Sequence, residues 1–149
     1  MLNLEVNKMI QLKNFIDFNG NAKEAIEFYV KAFNIERPHI TLFKDIPDSM
    51  TVSVESENRV AHANLKLAGI QILISDTQVE KPVLVGENIT LFIQCDELDE
   101  QKSIYEKLRE NARVIIPLSE TFWSKSYAYF IDKFGIGWQL NYDEPEKSK

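Results

Sequence analysis

Residues 119–142, SETFWSKSYAYFIDKFGIGWQLNY, decide the fold. Tyr127–Asp132 and Trp138–Tyr142 alternate and are rich in the aromatic and β-branched residues that strands prefer. The segment between them, Lys133–Gly137, carries two glycines that can adopt positive φ. The stretch therefore predicts a β-hairpin whose turn uses positive φ at Gly135 and Gly137.

A polar loop with a hydrophobic pair precedes this hairpin. Arg113–Pro117 predicts a strand, and Ser119–Ser126 is polar apart from Phe122 and Trp123. A large hydrophobic pair in a loop needs something to pack against. The pair either plugs the end of the core or a subunit contact, or lines a ligand cavity, and the sequence leaves these alternatives open.

The rest of the chain gives the same series of elements twice. The first series consists of a strand at Gln11–Phe18, a helix at Ala22–Phe33, and strands near Arg37–Lys44, at Arg59–Leu67 and at Ile70–Ser75. The second consists of a strand at Asn88–Cys95, a helix at Leu98–Glu110 and the three strands already described. Residues 45–58 are polar without a clear period and predict a mobile loop.

These patterns predict an α+β fold made of two βαβββ units. The single domain of 149 residues divides into units 11–76 and 88–142, a linker 77–87 and a flexible tail 143–149. A four-stranded sheet alone would expose its apolar face. We therefore expect the units to pair, within a chain or between chains.

Composition limits the partners and the location. The formal net charge is −6 and the pI is near 5.0, so we expect no nucleic-acid partner. No apolar run approaches the roughly 20 residues of a membrane span, and the start lacks a signal-peptide pattern, which predicts a cytoplasmic protein without membrane contact. The single cysteine, Cys95, excludes a disulfide framework and is expected to be a small core residue.

Three stretches resemble a known family: NGNAKEAIEFYVKAF (19–33), VAHANLKLAGIQILISD (60–76) and SETFWSKSYAYFIDKFGIGWQLN (119–141). They are similar to the PhnB-like branch of the vicinal oxygen chelate superfamily, which includes glyoxalase I, bleomycin-resistance proteins and extradiol dioxygenases. The resemblance implies paired βαβββ modules that form a curved mixed sheet around a cavity, in a homodimer.

The resemblance also implies four strand positions at which the enzymes of the superfamily hold a divalent metal. These positions fall on Asn14, Leu73, Asn88 and Gln139. A catalytic divalent metal needs anionic or imidazole ligands for affinity and to lower the pKa of bound water. Three amides and an alkyl chain supply neither, so we predict that the chain has no metal cofactor.

The same residues predict a ligand cavity. Strand alternation and the resemblance place one set on the face away from the helices: Asn14, His62, Leu73, Asn88, Thr90, Phe92 and Gln139. Trp123 joins them from its loop. Such walls are neutral and rich in amides, and they suit a small uncharged or weakly polar ligand. His62 is either an acid–base group or a structural histidine in the sheet.

The functional hypothesis is a homodimer that binds a small molecule without a catalytic metal. One alternative is an enzyme of the lyase, isomerase or dioxygenase type, in which His62 acts as acid or base on a substrate held by Asn14, Gln139 and Trp123. A second is a drug- or toxin-sequestering protein with a cationic ligand. Labels of the PhnB-like branch also mention methyltransferases. Methyl transfer finds no support here, because the sequence has no glycine-rich loop that would bind the nucleotide of a methyl donor.

Overall fold

A computed structural model describes residues 10–47 and 52–144. Within these ranges the chain forms two four-stranded mixed sheets and two α-helices, which confirms the predicted α+β class. The strands are β1 (Asn14–Phe18), β2 (Ile40–Leu42), β3 (Val60–Leu67), β4 (Ile70–Asp76), β5 (Thr90–Cys95), β6 (Arg113–Ser119), β7 (Ser126–Ile131) and β8 (Gly137–Tyr142). The helices are α1 (Ala22–Phe33) and α2 (Leu98–Leu108).

Both sheets have the same topology. Their orders are β1-β4-β3-β2 and β5-β8-β7-β6, with the first strand parallel to the last and the other pairs antiparallel. The chain divides into two compact units. One unit consists of the chain up to Lys23 and of Glu36–Val83, and it contains the first sheet. The other consists of Glu24–Ile35 and of the chain from Leu84 onward, and it contains the second sheet. Most of α1 therefore belongs to the same compact unit as the second sheet.

The first sheet has one buried face and one open face. Ala63, Leu65, Ile72 and Ile74 are buried together, because Ala63 lies opposite Ile74 and Leu65 opposite Ile72. The other face, which we call the His62 face, consists of Phe15, Asp17, His62, Asn64, Lys66, Gln71, Leu73 and Ser75. It is polar around one exposed aromatic ring, that of Phe15, whose side chain is 55% exposed.

A buried carboxylate organises the first unit. Asp76, at the end of β4, accepts hydrogen bonds from the backbone N–H groups of Gly20 (2.9 Å), Ala22 (3.0 Å) and Val60 (2.9 Å). Ala22 is the first residue of α1, where an unpaired N–H and the helix dipole both favour a negative charge. Asp76 therefore joins the β1–α1 turn to the start of β3.

The predicted mobile loop 45–58 lies partly outside the described residues, which omit 48–51. In the described part Ser56 is fully buried, and its hydroxyl accepts a hydrogen bond from the N–H of Val79 at 2.9 Å. This portion is held against the segment that follows β4. Of the predicted tail, residues 145–149 lie outside the described residues.

A second buried carboxylate organises the hairpin of the second unit. Asp132 accepts hydrogen bonds from the Tyr29 hydroxyl (2.6 Å), the Trp138 indole N–H (2.8 Å) and the backbone N–H groups of Phe134 (2.8 Å) and Ile136 (3.1 Å). The pKa of Tyr29 is raised well above its usual value, first by burial and then by the charge of Asp132. Asp132 thus connects α1 to both strands of the hairpin.

The two glycines of this turn have different roles. Gly135 has a φ of +89°, as predicted. The prediction of positive φ at Gly137 is wrong, since Gly137 is not among the positive-φ residues and lies in β8. A Cβ at this position would lie 2.7 Å from Cγ2 of Thr90 in β5. Glycine is therefore needed at position 137 because β5 approaches closely.

Candidate functional site

The second sheet has a polar face formed by its parallel strand pair and by β7, on which Phe92 is exposed whereas Tyr127 and Asn141 are buried. In the register, Phe92 lies opposite Gln139, which lies opposite Tyr129. Gln94 and Tyr127 likewise lie opposite Asn141. Strand alternation therefore brings together what we call the Gln139 face: Thr90, Phe92, Gln94, Tyr127, Tyr129, Gln139 and Asn141. The reverse side of the sheet is a core face with Phe130, Trp138 and Leu140 buried.

Hydrogen bonds between side chains order the polar groups of this face. Gln139 donates from Nε2 to Oγ1 of Thr90 at 2.9 Å, and the Tyr127 hydroxyl donates to Oε1 of Gln139. Burial, and then the neighbouring Tyr129, raises the pKa of Tyr127, so its phenol is a neutral donor at neutral pH. The centre of the face is therefore a connected, uncharged network.

A parallel set of bonds lies one step further along the strands. Nδ2 of Asn141 donates to Oε1 of Gln94 and to Oδ2 of Asp143, both at 2.9 Å. The second carboxylate oxygen of Asp143 accepts from the backbone N–H of Lys125 at 3.4 Å. Asp143, which follows β8, is therefore engaged at the margin of the Gln139 face.

Large aromatic side chains border the network and remain accessible. Phe92 is 56% exposed although it lies in the middle of β5, and Trp123 is 51% exposed. The Trp123 ring contacts the Tyr127 ring at a centroid distance of 5.5 Å, and Phe122, which is 96% exposed, at 4.7 Å. The Phe122–Trp123 pair therefore does not plug the core. Its contact with a ligand or a subunit stays a prediction.

The first sheet places its predicted site residues differently. His62 is exposed, and Leu73 is half-buried on the same face. Asn14 lies opposite Ile72, whereas Leu73 lies opposite Phe15. The prediction that Asn14 shares a face with His62 and Leu73 is therefore wrong, and Phe15 and Asp17 are the β1 residues that do.

Asn88 is also misplaced by the sequence pattern. The predicted strand was to begin there, but β5 begins at Thr90, and Asn88 is exposed in the bend before it. The bend comprises Glu87 and Asn88, and Oδ1 of Asn88 would lie 3.4 Å from a Cβ at the preceding Gly86. The side chain of Asn88 consequently has no place in the strand register of the Gln139 face.

The four positions implied for a divalent metal do not fit one. Asn14 and Leu73 lie on opposite faces of the same sheet and cannot join a single ligand set. Leu73 has no donor atom, and Gln139 is engaged with Thr90 and Tyr127. Within residues 10–47 and 52–144, no three His, Cys, Asp or Glu side chains cluster as metal ligands would. Burial, reinforced by Glu100 and Asp96, raises the pKa of the Cys95 thiol to about 11, which disfavours a thiolate.

Sequence reasoning missed Tyr127, Asn141 and Gln94 as parts of the polar network. The signal was present, because Tyr127 and Tyr129, and likewise Gln139 and Asn141, are two residues apart in strands and must share a face. The missing information was the pairing register of β7 with β8, which places the tyrosines beside the amides.

A family model described as 3-demethylubiquinone-9 3-methyltransferase matches residues 10–141. The chain belongs to this family. Its resemblance to PhnB-like proteins is thereby confirmed, together with the glyoxalase/bleomycin-resistance fold that the resemblance implied.

Individual relatives agree with this assignment. The chain is 28% identical over 138 residues to protein YjdN of Escherichia coli strain K12, covering 87% of this chain and 93% of YjdN. Among solved structures, it is similar to PA1353 from Pseudomonas aeruginosa (TM-score 0.81, 25% identity, 91% and 99% of the two chains covered). The PhnB protein from Bacillus cereus gives a TM-score of 0.74 at 25% identity, with 89% and 99% covered.

The helices add one negative finding. In the parts of the chain that the structure describes, no helix has the length and apolar character needed to cross a bilayer.

Proposed function

We propose that the chain binds a small organic molecule on the Gln139 face. The observation that supports this proposal is the exposure of Phe92 and Trp123 beside the network of Gln139, Thr90 and Tyr127. Ligand sites commonly combine apolar and aromatic walls with a few polar groups in fixed positions. Phe92 in particular exposes more than half of its side chain in mid-strand, where a ligand could cover it.

Binding can be measured with a fragment library and two-dimensional NMR. The two indole N–H groups provide a probe and an internal control, because Trp123 is half-exposed at the Gln139 face whereas Trp138 is buried and hydrogen-bonded to Asp132. Ligands are expected to shift the resonances of the Trp123 indole and the Gln139 side-chain amide, and to leave the Trp138 indole unchanged. A library that shifts neither Trp123 nor Gln139 would contradict the proposal.

A matched pair of variants tests the location. Phe92 and Phe15 are 56% and 55% exposed, and each lies on the strand that pairs in parallel with the last strand of its sheet. Phe92→Ala is expected to weaken binding by about tenfold or more, since a stacked aromatic contact is lost. Phe15→Ala should change it by less than about twofold. Equal losses in the two variants would show that the site is not confined to the second sheet.

The homodimer belongs to the same proposal. Large hydrophobic side chains are exposed in both units outside the proposed site, including Ile70 in the first and Ile115 in the second. Exposed apolar surface of this kind often marks a protein contact. Light scattering is expected to give twice the 17.3 kDa of the chain, and a mass of a single chain at micromolar concentration would contradict the dimer.

Chemistry at a metal is not part of the proposal, because the four implied positions do not fit the ion. Protein purified without chelator and then dialysed is expected to retain no stoichiometric divalent metal. Stoichiometric nickel, zinc, iron or manganese would favour the alternative of a lyase, isomerase or dioxygenase. Methyl transfer, which the family description names, is not proposed either. It would need a glycine-rich loop for the nucleotide of a methyl donor, whereas Gly135-Ile136-Gly137 belongs to the hairpin turn, where Asp132 accepts hydrogen bonds from the N–H groups of Gly135 and Ile136.

A further inference from the structure

We infer that Gln139 is the selectivity residue of this face and that it recognises the amide or lactam edge of an uncharged, planar ligand. The inference rests on the proposed function and adds the chemical class of the ligand. It depends on what the hydrogen bonds of Gln139 leave available, on the ring beside it and on the absence of charge around it.

The Gln139 carboxamide retains one donor and one acceptor. A carboxamide has two N–H bonds and two oxygen lone pairs. Within residues 10–47 and 52–144, Thr90 uses one N–H and Tyr127 uses one lone pair, so one of each remains. Exchanging the positions of the amide nitrogen and oxygen leaves this count unchanged, because both neighbours are hydroxyls that can donate or accept a hydrogen bond. Gln139 is half-buried, so its remaining hydrogen-bonding groups are only partly solvated.

An aromatic surface lies directly beside this amide. Phe92 is opposite Gln139 in the register of β5 and β8, on the same face of the sheet, and it is 56% exposed. A flat ring that stacks on Phe92 would bring its own substituent next to Gln139. A primary amide or lactam on that ring supplies both a donor and an acceptor, which matches what Gln139 has left.

The surroundings of Gln139 do not favour an ionised ligand. The Gln139 face consists of Thr, Phe, Gln, Tyr and Asn side chains, which are uncharged at neutral pH. The carboxylate in the neighbouring network, Asp143, is four residues from Gln139, roughly 13 Å along an extended strand. It is also engaged by Asn141 and by the N–H of Lys125. A carboxylate or ammonium ligand would therefore lose hydration at Gln139 without gaining an opposite charge.

Three planar probes of nearly equal size separate these possibilities: benzamide, benzoate and benzamidine. Each is titrated at pH 7 into the full chain, and dissociation constants are read from the Trp123 indole resonance. Benzamide is expected to bind at least about tenfold more tightly than either ion. Gln139→Glu is expected to reverse the order in favour of benzamidine, and Gln139→Leu to remove the preference for benzamide.

The variants are designed to keep the fold. The carboxylate of Gln139→Glu can accept a hydrogen bond from both Tyr127 and Thr90, because the Thr90 hydroxyl can rotate to donate. An unchanged Trp138 indole resonance verifies the packing around Asp132 in each variant. If Gln139→Glu fails this check, Gln139→Leu alone decides: the inference is overturned if that variant keeps the preference for benzamide.

The failure of this inference can be distinguished from the failure of the proposed function. Fragments that bind the Gln139 face while the three probes show equal affinity, a preference for an ion or no binding would overturn the inference and retain the proposed function. If no fragment binds the Gln139 face, both the inference and the proposed function are contradicted.

Discussion

The two sheets share a strand order but use their polar residues differently. On the His62 face of the first sheet, His62 and Lys66 can carry charge, and their side chains are exposed. On the Gln139 face of the second, Gln139 and Asn141 are neutral and hydrogen-bonded to their neighbours. A repeated topology therefore fixes where side chains point, whereas the residue at each position decides whether its side chain is exposed to solvent or held by its neighbours.

The buried carboxylates differ in the same way. Among the residues that the structure describes, Asp76 in the first unit accepts hydrogen bonds from backbone N–H groups alone, those of Gly20, Ala22 and Val60. Asp132 in the second unit also accepts from two side chains, Tyr29 and Trp138. The first carboxylate stabilises chain reversals, and the second in addition fixes a helix against the hairpin. The second unit therefore depends more on side-chain identity, and four predictions test this difference.

The largest expected effect comes from Asp132→Ala, which leaves the buried Tyr29 hydroxyl and Trp138 N–H without an acceptor. Hydrogen bonds to a charged group contribute about 1.5–3 kcal/mol each, and they are not additive within one network. We expect a loss of about 3–5 kcal/mol in the free energy of unfolding, measured by urea denaturation. Asp17→Ala, at an exposed position in β1, should change it by less than about 0.5 kcal/mol.

The pairing with Tyr29 sharpens this test. Tyr29→Phe should destabilise the wild-type protein but have little further effect in the Asp132→Ala background, which gives a coupling energy of about 1–2 kcal/mol. Additive losses would show that the Tyr29–Asp132 bond contributes nothing of its own and would break the contrast between the two carboxylates.

The second prediction compares glycines of the two sheets. Gly137→Ala is expected to cost about 1–3 kcal/mol through overpacking against Thr90, and Thr90→Ser should recover at least half of this because it removes Cγ2. Gly69→Ala, in the β3–β4 turn, should cost about 1–2 kcal/mol through backbone strain rather than a clash. The φ of Gly69 is +81°, and a Cβ there would have no atom within 4 Å beyond its chain neighbours. Thr90→Ser should not recover this loss. If Thr90→Ser restored the free energy of unfolding, measured by urea denaturation, equally in both variants, a clash with Thr90 would not explain the cost of Gly137→Ala.

Strand alternation predicted much of the fold and part of the site. It placed Thr90, Phe92 and Gln139 correctly on one face, because β5 and β8 pair in parallel without a register shift. It also grouped Asn14 with Ile16 and Phe18, and the buried Phe18 shows that this is not the His62 face. The error at Asn14 arose because alternation within one strand, combined with the resemblance, cannot tell which of the two strand faces is buried; the pairing of Asn14 with Ile72 does.

Other features depended on contacts that a linear pattern does not contain. The bond between Tyr29 and Asp132 joins residues 103 positions apart. Gly137 was assigned to positive φ from its place next to a turn, but the close approach of Thr90 from another strand explains it. Asn88 was expected to begin a strand, whereas the bend at residues 87 and 88 delays the start of β5 to Thr90. In each case the structure at the residue depends on a contact from a residue distant in sequence or on a bend in the chain beside it.

The third prediction concerns alkaline pH. Because the folded pKa of Tyr29 is raised, its effect on stability is constant below the unfolded pKa of about 10 and is lost as pH rises above it, when only the unfolded state ionises. Wild-type protein should lose up to roughly 1.4 kcal/mol per pH unit from this group. Tyr29→Phe should lose correspondingly less between about pH 10 and 11.5, with the two proteins compared at pH 7 for a baseline. Parallel curves would contradict the raised pKa.

The smallest effect is expected at His62. Its side chain is exposed, and no hydrogen bond or ion pair connects its ring to another residue within 10–47 or 52–144. His62→Gln should therefore change the free energy of unfolding by less than about 0.5 kcal/mol and fragment affinity at the Gln139 face by less than about twofold. A variant that keeps its melting temperature but loses binding would give His62 a functional role, as the alternative of an acid–base enzyme requires. The proposal that binding is confined to the Gln139 face would then no longer hold.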